Sequence, residues 1–229
     1  MSQYFLPAHV HFCCRGDDFV FLDLQRDGYT LVDGEGAAAL QGLLLPDSTC
    51  ESPVESVNGL QELLQKGLLV TDCRKGKDVC ATRIEPAIEP LIDAESAPRL
   101  RPSPLHVYRF MAACTSTAIR LRWLRLEQTV RIVERRKARH AKQRRFDLGR
   151  AREVTGIFQV LRALFPRNYL CLFDSLALLD FLARYDIYPT WVFGIKLEPW
   201  AAHCWVQERQ FVFNEDVEEA SGYTPIMAI

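Results

Sequence analysis

Three kinds of side chain that could together perform nucleophilic catalysis occur in the last third of the chain. Cys171 supplies a thiol, His203 an imidazole, and the consecutive residues Asn214, Glu215 and Asp216 supply an amide and two carboxylates. A thiolate can attack a carbonyl carbon, an imidazole can carry the proton, and an acceptor on the second ring nitrogen fixes the imidazole's tautomer. These residue types therefore predict covalent catalysis through a thioester.

The sequence around Cys171 predicts that it lies at or just inside the N-terminus of a helix. Pro166 ends the helical segment before it, and residues 172–185 are largely apolar, with leucines at helical spacing. Backbone N–H groups in the first turn of a helix have no intrahelical partner, and together with the macrodipole they lower the pKa of a thiol. Most cysteines at such positions are structural, so the catalytic interpretation depends on His203 and its partner.

His203 and Asn214 fall in two neighbouring runs of β-forming residues that are separated by a turn. This pattern predicts an antiparallel pair of strands in which the two side chains face each other. Because side chains alternate along a strand, Asp216 shares the face of Asn214, whereas Glu215 points to the other face unless the strand ends first. Both carboxylates are therefore candidates for the acid. The same alternation places Cys204 on the face opposite His203, in the core.

Residues 1–80 predict a small domain of the winged-helix kind, with the order β-β-β-α-α. Three short strands joined by tight turns occupy residues 8–33, and helical patterns follow at 35–45 and 53–70. A winged helix that binds DNA needs a basic recognition helix, but residues 1–98 carry 7 Lys and Arg against 16 Asp and Glu. We therefore expect the open edge of the sheet to capture an extended peptide by strand addition, with a purely structural domain as the alternative.

Five prolines among acidic and small residues mark residues 81–104 as a linker. The second domain, 105–229, begins with helical sequence that becomes basic over residues 131–152, and residues 120–152 carry 13 Lys and Arg against 3 Asp and Glu. The run 130–145 contains no aromatic residue on which a base could stack. We interpret it as a solvated helix end or mobile loop, with an acidic partner surface as the next alternative and nucleic acid as the last.

Composition argues against several other classes of protein. No apolar run approaches the ~20 residues of a membrane-spanning helix, and the first residues lack a signal-peptide pattern, so we expect a cytoplasmic protein. Eight cysteines without any Cys-x-x-Cys spacing favour neither a disulfide framework nor a structural zinc site. The cluster His9, His11, Cys13 and Cys14 has the alternation of a strand, so we expect no metal and no cofactor.

In its candidate site the chain resembles the transglutaminase-like B proteins of lasso-peptide biosynthesis, cysteine peptidases that remove the leader from a ribosomal precursor. The matching residues are Cys-Leu-x-x-Ser-Leu-Ala-Leu from Cys171, Gly-Ile at 194–195, His-x-Trp-Val from His203, the Asn-acid pair at 214–215, and Tyr-x-Pro-Ile at 223–226. The resemblance implies an α+β protein whose second domain is transglutaminase- or papain-like. In that domain the helix that carries the cysteine packs on an antiparallel sheet.

The resemblance also implies roles for individual residues, with Cys171 as nucleophile and His203 as base. The family's acid directly follows the Asn, which corresponds to Glu215. We favour Asp216, because its shorter carboxylate shares the face of Asn214, and keep Glu215 as the alternative. Asn214 is a possible orienting residue.

The oxyanion formed during attack needs hydrogen-bond donors. We expect one donor to be the backbone N–H of the nucleophilic cysteine and the other to be a side-chain amide. The candidates for that amide are Gln159 and Asn168.

For residues 1–80 the resemblance implies a leader-recognition domain fused to the peptidase. Such domains bind the leader along the third strand and the helix that borders the open edge of the sheet. The corresponding residues here are Tyr29, Leu31, Val32, Leu60 and Leu64. The implied partners are the precursor peptide and an asparagine-synthetase-like cyclase, and neither nucleic acid nor a membrane is expected.

Together these observations predict a cysteine endopeptidase that binds a precursor by its leader and cuts the leader from the core. Its cleavage would be linked to ATP or assisted by a partner. Two alternatives remain, a leader-binding scaffold with an inactive triad and a nucleic-acid-binding winged-helix protein that uses the basic stretch 131–152.

Overall fold

The computed structural model describes residues 4–44, 53–74, 76–92, 101–140, 146–166 and 168–229. The chain divides into two compact units, Met1–Arg83 with Thr224–Met227 and Ile84–Tyr223 with Ala228–Ile229. Both helices and strands occur, so the α+β class predicted from sequence is confirmed.

The first unit contains a three-stranded antiparallel meander in the order β2-β3-β4 and a short two-stranded pair of β1 with β5. The strands are β1 Leu6–Pro7, β2 Val10–Arg15, β3 Asp18–Asp23, β4 Gly28–Val32 and β5 Gly76–Lys77. Arg15 pairs with Asp18, so the hairpin loop has only two residues, and its first residue, Gly16, has φ +63°. Glycine adopts this left-handed conformation without steric cost, which is why a tight turn forms here.

Two helices follow the meander, α1 Gly34–Leu44 and α2 Pro53–Gln65, as the predicted β-β-β-α-α order requires. They approach closely at Gly59, where an added Cβ would lie only 2.3 Å from the backbone oxygen of Glu35. The apolar faces of strands and helices bury one core, and Phe12 stacks on its cross-strand partner Phe21 with ring centroids 5.4 Å apart. Burial of this core holds the unit together.

The second unit is built from helices and a sheet. Its elements are β6 Glu89–Pro90, α3 Pro104–Trp123, α4 Leu126–His140, α5 Leu148–Ala163, α6 Cys171–Leu182, a 3₁₀ turn Ala183–Tyr185, β7 Thr190–Lys196, β8 Ala201–Glu208, β9 Phe211–Val212 and α7 Val217–Ser221. A last strand, β10 Thr224–Ala228, ends the chain. Within this unit the strand order is β7-β8-β9-β6; β6 and β9 pair in parallel, whereas the β7–β8 and β8–β9 pairs of the described residues are antiparallel.

Part of the predicted linker belongs to this sheet. Glu89 and Pro90 pair with Phe211 and Val212, and Leu91 is fully buried. A two-residue edge strand tolerates proline, because the missing N–H faces away from the ladder. The proline pattern predicted a linker over residues 81–104 and did not predict this short edge strand, and residues 93–100 lie outside the described residues.

Helix α6 is central to the second unit, and it packs against α3, α5 and β8. Every residue from Phe173 to Leu182 is buried, including the polar residues Asp174, Ser175 and Asp180. A helix that is apolar on all sides is stable only when other elements surround it. The structure therefore fixes the N-terminus of α6, where Cys171 lies, from several directions.

Part of the basic stretch 131–152 has an internal partner. Arg136 of α4 and Arg120 of α3 both form ion pairs with the buried carboxylate of Asp180, at 2.6 and 2.9 Å, and Ser116 donates to it at 2.8 Å. Arg136 of the basic stretch therefore links α4 to α6, and Arg120, which precedes that stretch, links α3 to α6. Residues 141–145, the end of the basic run, lie outside the described residues.

In the part of the chain that the structure describes, no helix is long and apolar enough to cross a membrane. None of the described cysteines forms a disulfide, and Cys50 lies outside the described residues.

Candidate active site

Cys171 is the first residue of α6, as the sequence predicts. Leu170 before it has extended backbone angles, φ −137° and ψ 115°, and forms the N-cap without a side-chain hydrogen bond. The cysteine is half-buried, so its thiol lies at the surface of the unit with the first turn of the helix behind it. Backbone N–H groups in that turn are available to a negative charge at Sγ or at a substrate oxygen.

A buried ion pair holds this helix start in place, and the sequence pattern did not reveal it. Asp174 is fully buried, accepts a hydrogen bond from the backbone N–H of Leu170 at 2.6 Å, and is bound by the guanidinium of Arg162 from α5. Arg162 also donates to the carbonyl oxygens of Phe165 and Asn168, at 3.4 and 3.2 Å. Asp174 thus acts on both the helix end and the segment before it, beyond the dipole effect that its position suggests.

His203 lies on β8, opposite Gly194 of β7. Its ring lies 5.1 Å from the ring of Tyr223 and 6.1 Å from that of Trp205. A Cβ at position 194 would come within 2.9 Å of both Trp205 and Tyr223, so only glycine lets these rings pack over the strand. This packing restricts the orientation of the imidazole.

The carboxylate that contacts His203 is Glu215, whose Oε2 lies 2.8 Å from the imidazole Nε2. The strand-face argument that favoured Asp216 was wrong, because β9 ends at Val212 and the alternation of a strand does not extend to residue 216. Asp216 is instead the N-cap residue of α7. Glu215, which directly follows Asn214 and was the alternative acid, is the residue that lies beside the imidazole.

The thiol of Cys171 has a pKa far below its ordinary value. Hydrogen bonds from the Cys204 thiol, from His203 and from the backbone N–H of Cys204 lower the pKa of Cys171 to about 4, against the opposing effect of burial. Because Nε2 of His203 is taken by Glu215, Nδ1 is the nitrogen left for the thiol. Cys171 is therefore a thiolate at neutral pH.

His203 is correspondingly an imidazolium. Burial alone would lower its pKa, but the hydrogen bonds and charges of Cys171 and Glu215 outweigh burial and raise it to about 9. The site thus holds a thiolate and an imidazolium side by side between pH about 4 and about 9. This charge distribution is the one that a cysteine nucleophile with a histidine acid–base partner requires.

Cys204 is buried, as predicted, yet it also forms part of the site. Burial raises the pKa of its thiol well above the usual value, so it stays neutral and can donate to Cys171. Its sulfur lies 3.4 Å from the hydroxyl of Ser175, which accepts from the indole of Trp191 at 2.9 Å and donates to the carbonyl of Cys171 at 2.6 Å. No local sequence signal links these residues, because they lie on α6, β7 and β8.

Of the two residues proposed as side-chain oxyanion donors, Gln159 already donates through its amide, whereas Asn168 is contacted at its backbone carbonyl. Gln159 of α5 donates to the carbonyl of Phe213 at 3.3 Å, and the carbonyl of Asn168 accepts from Arg162. Asn214 accepts the backbone N–H of Val206 at 2.8 Å and so ties the segment that carries Glu215 to β8. Asn214 therefore positions the acid through the backbone, whereas the oxyanion roles of Gln159 and Asn168 remain predictions.

The residues predicted to bind a leader all lie in the first unit, and the structure gives them different exposures. Tyr29 is half-buried on β4, Leu31 is 50% exposed, and Val32 is buried in the core. Leu60 and Leu64 on α2 pack partly against the core. In the described residues β4 pairs with β3 on one side only, so Leu31 lies on an edge strand.

Comparison with known proteins matches the second unit to a family. A family model described as the transglutaminase-like superfamily matches residues 111–228, more than half of the chain, and this range includes Cys171, His203 and Glu215. No curated protein and no solved structure matches the chain.

Proposed function

The chain belongs to the transglutaminase-like superfamily, and on that premise we propose that it is a cysteine peptidase that removes the leader from a ribosomal precursor during lasso-peptide maturation. The superfamily includes both cysteine peptidases and transglutaminases, and in both classes a cysteine forms a thioester. They differ in the acceptor of the acyl group, which is water in a peptidase and an amine in a transglutaminase.

The observation that carries the proposal is the position of Glu215, 2.8 Å from Nε2 of His203, together with the opposite pKa shifts that Cys171 and His203 cause in each other. The Cys171 thiolate attacks the carbonyl carbon of the scissile bond, and His203 gives its proton to the leaving amine as the C–N bond breaks. A water molecule then attacks the thioester while His203 takes up its proton. The carboxylic product leaves, and the thiolate–imidazolium pair is restored.

The oxyanion in each tetrahedral intermediate needs preorganised donors. The backbone N–H of Cys171 lies in the first turn of α6, where N–H groups have no intrahelical acceptor. We assign it as one donor and keep Gln159 and Asn168 as the candidates for the second.

Substrate selection in this proposal belongs to the first unit. The edge strand β4, with Leu31 exposed, suits the addition of an extended leader as a further strand, and α2 supplies Leu60 and Leu64 beside the core. Backbone hydrogen bonds would give affinity, and the alternate side chains of the leader would give specificity.

The proposal includes a location and a partner that rest on the family resemblance. We place the reaction in the cytoplasm, with an asparagine-synthetase-like cyclase that uses the new amino terminus to close the ring. Whether ATP or that partner is needed for cleavage is decided by adding each to the reaction described below.

Two other functions are less well supported. A scaffold with an inactive triad would not need the thiolate–imidazolium pair that Cys171 and His203 form. A nucleic-acid-binding role for residues 131–152 is disfavoured because Arg136, in that stretch, forms an ion pair with the buried Asp180.

The decisive experiment is mass spectrometry of a precursor peptide, encoded by a short reading frame beside the gene, after incubation with the full chain. Wild type should give two fragments whose masses add up to the precursor plus one water, and Cys171→Ala should give none. Unchanged cleavage by Cys171→Ala would refute the proposal. A product in which an added amine replaces water would identify a transglutaminase instead.

A further inference from the structure

A cavity of about 430 Å³ lies in the second unit next to the segments that carry the nucleophile and the acid. Most of its wall is aromatic or aliphatic, formed by Phe158, Phe165, Tyr169, Leu178 and Phe213. Binding sites for small molecules and side chains typically have volumes of ~300–1,000 Å³ and apolar walls with a few polar groups. In size and lining this cavity fits that description.

One polar group in the cavity wall has no partner. Asn214 lines the cavity and is only 9% exposed, and its Oδ1 accepts the backbone N–H of Val206 at 2.8 Å. Because a backbone N–H can only donate, this contact fixes the amide with Nδ2 as the remaining group. Nδ2 is buried and has no hydrogen-bond partner among the described residues. Nδ2 has almost no accessible surface, so the walls of the cavity that a bound molecule can touch are the apolar ones.

The other polar groups around the cavity are already engaged. Gln159 donates to the carbonyl of Phe213, and the charge of Arg162 is paired with that of Asp174. A charged side chain placed in this cavity would lose its hydration without gaining a counterion. The cavity therefore favours an uncharged, apolar group.

The position of the cavity connects it to the reaction. The hydroxyl of Tyr169 donates to the backbone carbonyl of Asn214 at 3.4 Å, so the segment before α6 and the segment after β9 meet at the cavity wall. Cys171 follows Tyr169 by two residues, and Glu215 directly follows Asn214. A chain bound with its carbonyl at Cys171 has the cavity within reach of its nearest side chains.

We propose that this cavity is a substrate subsite for an apolar side chain of about the size of leucine or phenylalanine. That side chain belongs to one of the two residues on the amino side of the bond that Cys171 attacks. The inference rests on the proposed function. Residues on the amino side stay attached in the thioester, so a subsite that holds them acts in both half-reactions.

The test uses dipeptidyl chloromethyl ketones in which Gly, Leu, Phe or Asp occupies each of the two positions in turn. The Cys171 thiolate displaces chloride, so a C–S bond forms as the C–Cl bond breaks, and intact-protein mass spectrometry measures the rate. Each rate is divided by the rate of the same protein with iodoacetamide, which carries no side chain. We expect Leu or Phe at one position to react about tenfold or more faster than Gly or Asp.

Two variants test the cavity itself. Ala163→Trp places a bulky ring at the exposed rim of the cavity and should remove the advantage of Leu and Phe. The matched control is Val160→Trp, which lies on the same helix but outside the cavity wall. This variant should still react faster with the Leu and Phe reagents than with the Gly and Asp reagents.

The outcomes separate this inference from the proposed function. Equal normalised rates for all side chains, or an unchanged preference in Ala163→Trp, would overturn the subsite while leaving the peptidase proposal intact. If even iodoacetamide fails to alkylate Cys171, the proposed function fails and the subsite fails with it.

Discussion

His203 has two ring nitrogens with different partners, and this arrangement gives the site its charge. Glu215 lies at Nε2, and the thiol of Cys171 is the partner left for Nδ1. The carboxylate stabilises the imidazolium, and the imidazolium stabilises the thiolate. The ionisation state of Cys171 therefore depends on His203, and that of His203 depends on Glu215.

The first prediction concerns the pH dependence of thiol reactivity. An acid whose pKa is lowered is charged above that pKa, so Cys171 should be alkylated by iodoacetamide as a thiolate from pH about 4 upwards. Mass spectrometry of the peptide that contains Cys171 gives the rate at each pH. A rate that stays low at neutral pH and rises only as the pH approaches the ordinary thiol pKa would contradict the ion pair.

The second prediction separates the two candidate acids. Glu215→Gln removes the carboxylate at Nε2 of His203 and should lower kcat/KM for precursor cleavage by about 10²-fold, in the range of general acid–base effects. Asp216→Asn is the matched control and should stay within threefold of wild type, because Asp216 caps α7 without a side-chain hydrogen bond. The reverse order of effects would restore Asp216 as the acid.

The third prediction concerns Cys204, which was expected only to fill the core. Cys204→Ala removes one hydrogen bond to the thiolate and should raise the pKa of Cys171, with alkylation below pH about 4 slowed about tenfold. Cys204→Ser keeps a donor and should recover most of the rate. If the two variants behave alike, the thiol of Cys204 acts only by packing.

At the scale of elements, α6 joins the helical layer to the sheet. Its first residue contacts β8 through His203 and Cys204, and Asp180 near its other end binds arginines from α3 and α4. Both ends of the helix are therefore held by polar contacts, and the residues between them are buried. This rigidity keeps the thiol in one place relative to the imidazole.

The fourth prediction tests the contact that joins α4 to α6. Arg136→Ala removes a charge-assisted hydrogen bond to the buried Asp180 and should lower the free energy of unfolding by ~1.5–3 kcal/mol. The neighbouring Arg135 is exposed, so Arg135→Ala should change the free energy of unfolding by less than ~0.5 kcal/mol. Urea unfolding followed by circular dichroism measures both. Equal effects would mean that Arg136 belongs to a solvated basic face.

At the scale of the whole molecule, the chain combines two units for which we propose different tasks. The first unit offers an edge strand, and the second holds the thiolate–imidazolium pair. If one unit selects the substrate and the other cleaves it, the two activities can be altered separately.

The fifth prediction uses that separation. Leu31→Asp places a charge on the edge strand and should weaken binding of the isolated leader peptide by about tenfold or more, measured by fluorescence anisotropy. Leu105→Asp is the matched control, because Leu105 on α3 is 53% exposed and Leu31 is 50% exposed. Neither variant should change cleavage of a peptide that spans the junction but lacks the leader. Equal leader affinity for both variants would remove β4 from the binding surface.

The sequence by itself determined the features that depend on local pattern. The three strands of the meander, the two helices after it and the position of Cys171 at the start of α6 follow from alternation, helical periodicity and the proline before the helix. The order of thiol, imidazole and acid was also evident without coordinates, as was the approximate location of His203 on a strand.

Only the tertiary structure decided which side chains meet. Strand alternation favoured Asp216, but β9 ends after two residues and the chain turns so that Glu215 reaches the imidazole. The pairing of Arg162 with Asp174, the contact of Cys204 with Cys171 and the unpartnered amide of Asn214 join residues from different elements. Local propensity carries no information about such contacts, because packing and the need to satisfy buried polar groups determine them.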